Sequence, residues 1–238
     1  MTRTEAMQAD IDVGLRQYML RVYNYMASGL ALTGIVAYMV ANSSLLGLFF
    51  AATPRGIAPT LLGWVAMIAP IGIVFLLSFR VHAMSAAAAQ AAFWAYAAIN
   101  GIGLTTIFLQ FTGVSVVRVF FITAATFGAM SLYGYTTKKD LSGWGSFLIM
   151  GVVGILIAGI INIFLQSGAL QFAISVIGLL VFAALTAYDT QRLKDEYYSV
   201  AGDGEAVKKA SIFGALSLYL DFVNMFQFML SLFGGQNE

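Results

Sequence analysis

Two carboxylates stand where a lipid-embedded chain should have none. Asp189 closes the apolar part of "LTAYDTQRLKDEYY" (185–198), and Asp221 follows 32 positions later inside "ALSLYLDFVNMFQFML" (215–230). The other nine of the 11 acidic residues fall in tails or loops. An ionised Asp at the centre of a bilayer costs at least about 2.5–3.5 kcal/mol, so such a group must be paired, hydrated or protonated. Embedded acids of this kind mark ion and proton pathways. The plainer alternatives are a stabilising hydrogen bond to a neighbouring helix for Asp221 and headgroup solvation for Asp189. Brought together, the two carboxylates could share one proton and act as a pH switch. Their oxygens also suit a hard cation such as Ca²⁺. Two carboxylates are an incomplete ligand set, so carbonyls or water must complete it.

The neighbours of Asp221 indicate the surface it faces. Steps of three and four residues give Gly214, Ser217, Asp221, Asn224 and Phe228 on one stripe, with Gln227 beside it. Leu218, Phe222, Met225 and Met229 lie to its sides. Small and polar residues such as Ser217 and Asn224 belong against other helices or a wet cavity rather than lipid.

The elements that position these groups are membrane helices. Of 238 residues, 60% are hydrophobic and 10% charged, with a mean hydropathy of +0.86. A soluble domain carries about 25% charged residues, so the class is a polytopic, all-α membrane protein. A span needs about 20 mostly apolar residues, which predicts seven segments: 23–42, 60–79, 86–110, 115–135, 144–166, 170–189 and 210–233. Residues 1–22 then form a cytoplasmic tail and 23–234 one transmembrane domain, with 190–209 as the main hydrophilic loop. Pro70 falls within the second segment and should kink it.

Orientation follows from the basic residues. With the N-terminus cytoplasmic, Arg3, Arg16, Arg21, Arg80, Lys138, Lys139, Arg192, Lys194, Lys208 and Lys209 share one side, against Arg55 and Arg118 on the other. The C-terminus is therefore expected outside. Asp221 comes 11 residues after the start of its segment, about 16 Å deep at 1.5 Å per residue. Asp189 lies about a turn from the cytoplasmic edge, so depth alone leaves the two roughly 10 Å apart along the membrane normal.

Other chemistries are excluded by what is missing. With no cysteine there is no disulfide, thiolate metal site or cysteine nucleophile, and the single histidine, His82, rules out a histidine-rich metal site. His82 reads as a solvated interfacial residue. The net charge of +1 and the absence of a basic cluster give no nucleic-acid reading. No cofactor is expected. The first 22 residues lack an apolar stretch and cleavage site, so no cleaved signal peptide is expected. Small residues at Ala27, Gly34, Ala88, Ala92, Gly101, Gly103, Gly151, Gly154 and Ala158 read as helix-packing positions.

The segments "RQYMLRVYNYMASGLALTGIVAY" (16–38), "SFRVHAMS" (78–85), "YGYTTKKDLS" (133–142), "AYDTQ" (187–191) and "GALSLYLDFVNMF" (214–226) resemble the Bax inhibitor-1 family, also called the transmembrane Bax inhibitor motif family. The bacterial branch is the closer match, over about residues 16–234. The resemblance implies seven helices, with the C-terminal one central and surrounded by the other six. It also implies a pH-sensitive calcium leak in the bacterial inner membrane, gated by paired aspartates that match Asp189 and Asp221. A family arginine near the cytoplasmic end of the second helix matches Arg80, giving an Arg80–Asp189–Asp221 lock in which charge is balanced. A glutamate on the second helix and an arginine near the end of the seventh, present in several members, are replaced by Ala69 and Ser231. Some bacterial relatives look like modulators of a membrane-bound protease, and the wider family is named for suppressing cell death. An interaction role is therefore the alternative.

Enzymatic readings fare worse. An intramembrane aspartyl protease would need Gly-x-Gly-Asp at the second aspartate, where this chain has "LYLD" (218–221), and a later Pro-Ala-Leu helix, before which the chain ends. A retinal protein needs a lysine in its last helix, and none lies between Ala210 and Glu238. No enzymatic activity is expected.

Overall fold

The computed structural model describes residues 3–53, 56–80 and 83–235, except the side chains of residues 3–12 and 77–80. The apolar runs fold into helices, with a short α2 between the first two: α1 (Arg3–Ala41), α2 (Leu46–Phe49), α3 (Leu61–Arg80), α4 (Ala86–Gln110), α5 (Gly113–Thr136), α6 (Trp144–Leu165), α7 (Gly168–Val200) and α8 (Gly204–Phe233). A short antiparallel hairpin, β1 (Phe50–Thr53) with β2 (Gly56–Pro59), joins α2 to α3. Gly56, at φ +114°, takes a backbone conformation open mainly to glycine.

Among the described residues, six helices are long and apolar enough to cross a membrane. The second expected segment appears as the shorter apolar stretch Leu61–Leu76 within α3, which contains Pro70. Large apolar side chains point outward all along α6, from Phe147 at 66% exposure to Phe164 at 82%. Such a surface in water would far exceed what soluble monomers expose; in lipid it is the ordinary outer face.

One boundary differs from expectation, and the stretch before residue 23 is helical from Arg3. The hydrophilic loop 190–209 is a correction: α7 runs to Val200 and α8 begins at Gly204, leaving three residues, 201–203, between them. The charged run 190–200 is the amphipathic end of α7. It buries Thr190, Leu193 and Tyr197 at helical spacing while Arg192 and Asp195 stay outside.

The chain forms two compact units, the first holding α1 to α4 with α8 up to Leu216, the second α5, α6, α7 up to Ser199 and α8 from Ser217. In the first unit α1 and α4 run parallel, since Tyr25 meets Phe93, Thr33 donates to the Ala97 carbonyl (2.8 Å), and Tyr38 meets Phe108. Gly101 lets them approach, because a Cβ there would sit 2.7 Å from the Thr33 carbonyl oxygen. By contrast Gly34 and Gly154, expected as packing positions, face open space.

In the second unit α7 and α8 are antiparallel. Ser175 meets Ser231 (2.9 Å between hydroxyls), Gly178 packs on the Phe228 ring, and Arg192 reaches Ser217. Each advance along α7 is matched by a retreat along α8.

Candidate functional site: a carboxylate pair between α7 and α8

The antiparallel register brings the two aspartates to the same level. Phe182 packs on Phe228 with ring centroids 5.9 Å apart. Seven residues on along α7 is Asp189, and seven back along α8 is Asp221. Seven residues are close to two full turns, so both return to the facing surfaces. Asp221 lies within electrostatic reach of Asp189 and of Arg192. The 10 Å offset expected from depth is thereby corrected. It came from ending the span at Asp189, whereas α7 continues 11 residues to Val200 and carries Asp189 about 16 Å from the helix end.

Both acids are buried, Asp189 to 8% and Asp221 to 4% exposure. Asp189 pairs with Arg192 one turn along the same helix at 3.3 Å. Arg192 also donates to the Ser217 hydroxyl across the helix pair at 3.2 Å and lies over the Tyr188 ring, 5.9 Å from its centroid. Ser217 is one turn before Asp221 on α8. The guanidinium therefore links one carboxylate to the helix bearing the other. The Oδ2 atom of Asp221 is buried without a hydrogen-bond partner among the described residues. A buried carboxylate oxygen without a donor carries its full desolvation penalty. It must be met by a proton, a water or a cation.

The turn of α7 that carries Asp189 is held from several directions. Ser131 on α5 donates to Thr190 (3.0 Å), whose own hydroxyl donates to the Thr186 carbonyl (2.7 Å). The Gln191 amide spans the α5–α6 loop, accepting from the Leu141 N–H (2.7 Å) and donating to the Lys139 carbonyl (2.8 Å). Lys194 donates to the Tyr135 carbonyl (3.2 Å). Gly134 packs directly on the Ala187 backbone, where a Cβ could not fit. Asp189 and Arg192 thus project from a fixed segment.

Of the residues singled out from sequence, Asp189, Asp221 and Ser217 come together. Asn224 donates to the Leu220 carbonyl of its own helix (2.8 Å). The side chain of Arg80 and the whole of His82 lie outside the described residues. The polar stripe is not the sole inward face of α8. Leu218, Phe222, Met225 and Met229, expected beside it, are each at most 4% exposed, whereas Ser217, Asn224 and Phe228 are half-buried. Half of the membrane window of α8 is buried, against 17–33% in the other five, as befits a helix that is apolar most of the way round. Arg192 was missed because a basic residue just beyond an apolar run reads as a flank. Its spacing of three from Asp189 on a continuous helix is the signal that could have found it.

The sequence model of the family described as "Inhibitor of apoptosis-promoting Bax1" matches residues 15–238. The chain belongs to this family. Among its relatives, an uncharacterized protein of Caulobacter vibrioides is 46% identical over 230 residues, covering 96% of this chain and 92% of the relative. The inner membrane protein YbhL of Escherichia coli is 44% identical over 225 residues, covering 94% and 93%. Protein RP147 of Rickettsia prowazekii is 42% identical over 235 residues, covering 99% and 96%. These similarities run nearly end to end, so Bax inhibitor membership extends over both units and the α7–α8 pair together.

Proposed function

We propose that this Bax inhibitor family member is a passive, pH-sensitive pathway for Ca²⁺ across the bacterial inner membrane, gated at Asp189 and Asp221. The observation that carries the reading is the linked pair itself. Arg192 bridges Asp189 on α7 to Ser217 on α8, while Asp221, one turn beyond, has a buried oxygen without a partner among the described residues. In the closed arrangement the guanidinium offsets the charge of the pair and ties the helices together. A change in protonation alters that balance and biases α8 between two arrangements. Arg80, near the end of α3, remains the second basic group proposed for the lock.

Ca²⁺ is the transported ion, met in passing by carboxylate oxygens and completed by carbonyls or water. The protein acts by transport rather than catalysis. Seven spans are proposed, counting Leu61–Leu76 as the short one, with the half-buried α8 at the centre. The excess of basic residues supports a cytoplasmic N-terminus and an outer C-terminus. The inner membrane location is supported by the name of the E. coli relative.

Purified protein in sealed liposomes, with a trapped calcium dye and no other protein, tests the proposal. A calcium leak that changes with pH is expected. No leak at any pH would favour the alternative, modulation of a membrane-bound protease or of a stress response through protein contacts.

A further inference from the structure

The first unit carries a feature that the ion pathway does not use. Along the middle of α1, Gln17, Arg21, Asn24 and Ser28 recur at steps of four, three and four, and all four are exposed. In a helix that crosses lipid, an exposed polar stripe needs a partner. Two cavities open on it, and both include Arg21 and Tyr25. The first, of about 490 Å³, runs from Gln17 and Leu20 to Ser28 and Trp94. The second, of about 390 Å³, is closed by Ser85, Gln90, Glu205 and Lys208.

The chemistry of this groove is graded. At one end Arg21 and Lys208 provide two cations. Glu205, the carboxylate that lines the second cavity, is engaged with the first turn of α4, accepting from the Ala86 N–H at 2.7 Å. At the other end Trp94 and Tyr25 form an aromatic wall, with ring centroids 6.3 Å apart. Because α1 and α4 are parallel, Gln17 lies toward the start of α4, at the cytoplasmic end of the groove in the proposed orientation, and Ser28 and Trp94 lie deeper. Gln17 to Ser28 spans 11 residues, about 16 Å. Cations at headgroup level, hydroxyl and amide groups below them and an indole beside the apolar interior match a phospholipid from phosphate to glycerol.

We infer that this groove between α1, α4 and the start of α8 is a binding site for an anionic phospholipid, with the phosphate held by Arg21 and Lys208 and the glycerol region against Trp94. Free phosphate shares the headgroup chemistry but leaves the aromatic half of the groove unused.

Trp94 supplies the probe. Trp64 and Trp144 face outward at 53% and 56% exposure, so both are replaced by phenylalanine in full-length protein, leaving Trp94 as the sole indole. The protein is titrated in detergent with brominated phosphatidylglycerol, brominated phosphatidylcholine, or brominated phosphatidylglycerol in the presence of inorganic phosphate. Saturable quenching by brominated phosphatidylglycerol is expected at concentrations where brominated phosphatidylcholine quenches little. Arg21→Gln and Lys208→Gln should each weaken it about fivefold. Arg21→Lys should retain most of the binding, and Arg16→Gln, on the same helix but lining neither cavity, should leave it unchanged. Thermal melting separates lost binding from lost folding. Equal quenching by the two lipids, equal loss in Arg16→Gln, or displacement of the lipid by millimolar inorganic phosphate would overturn the assignment.

Discussion

Arg192 donates to Ser217 across 3.2 Å, tying α7 to α8 one turn from Asp221. The same guanidinium pairs with Asp189 at 3.3 Å, so a single side chain contacts both helices at the level of the carboxylates. Contacts of a half-exposed charged group such as this are worth about 0.2–1 kcal/mol. Arg192→Gln should therefore raise calcium leak at pH 8 by up to about fivefold. Dye-loaded proteoliposomes measure this directly. An unchanged leak would show that the bridge does not hold the closed arrangement.

Asp221 should trade stability against function. Its buried Oδ2 has no partner among the described residues, and removing an unsatisfied buried carboxylate relieves a penalty of about 1–3 kcal/mol. Asp221→Asn should therefore melt no lower than the parent in detergent, and by the same account higher, while losing pH response. A fall of several degrees in Tm would mean that the carboxylate is satisfied in the folded protein.

Gln191 should behave as a positioning residue. Its amide closes both hydrogen bonds to the α5–α6 loop, and Gln191→Leu leaves the buried Leu141 N–H without its acceptor, while the Lys139 carbonyl sits on an exposed residue. A loss of about 1–3 kcal/mol is expected. Faster hydrogen exchange at Lys139 to Ser142, with the helical content retained, is the signature to measure. Unaltered exchange there would place the loop's support elsewhere.

Asp140, in that loop, offers a pH test outside the membrane. The Ser142 hydroxyl and then the Ser142 N–H (2.8 Å) stabilise its charged form and hold its carboxyl below the ordinary Asp range. A depressed value adds stability that is present above the unfolded value, about 3.9, and is lost as pH falls through the folded one. Protection of the Ser142 amide should therefore persist at pH 5 and decline only in stronger acid. Asp140→Asn should remove that acid dependence.

The sequence makes the aspartates conspicuous because embedded charge is costly, and it makes most of the helices legible because lipid demands long apolar runs. It does not reveal where α7 ends. Arg192, Lys194, Asp195 and Glu196 read as a loop by composition, yet Leu193, at 1% exposure, and Tyr197 bury one face of a continuing helix. That one error moved the apparent membrane edge to Asp189, separated the carboxylates by a calculated offset and hid Arg192 as a flank. Similarly, Gly134 and Gly178 cannot be told from Gly34 or Gly154 by type. Only the opposing Ala187 backbone and Phe228 ring distinguish them. Packing partners are set by the register between helices, which a single helical period does not encode.

The central claim is that Asp189 and Asp221 act as one titrating pair. Calcium flux into proteoliposomes should be measured from pH 5 to 8 for the parent, Asp189→Asn, Asp221→Asn and the double variant. Each single variant is predicted to flatten the pH profile nearly as far as the double does, because removing either member destroys the shared site. Profiles that keep the parent's shape in both single variants would contradict the account.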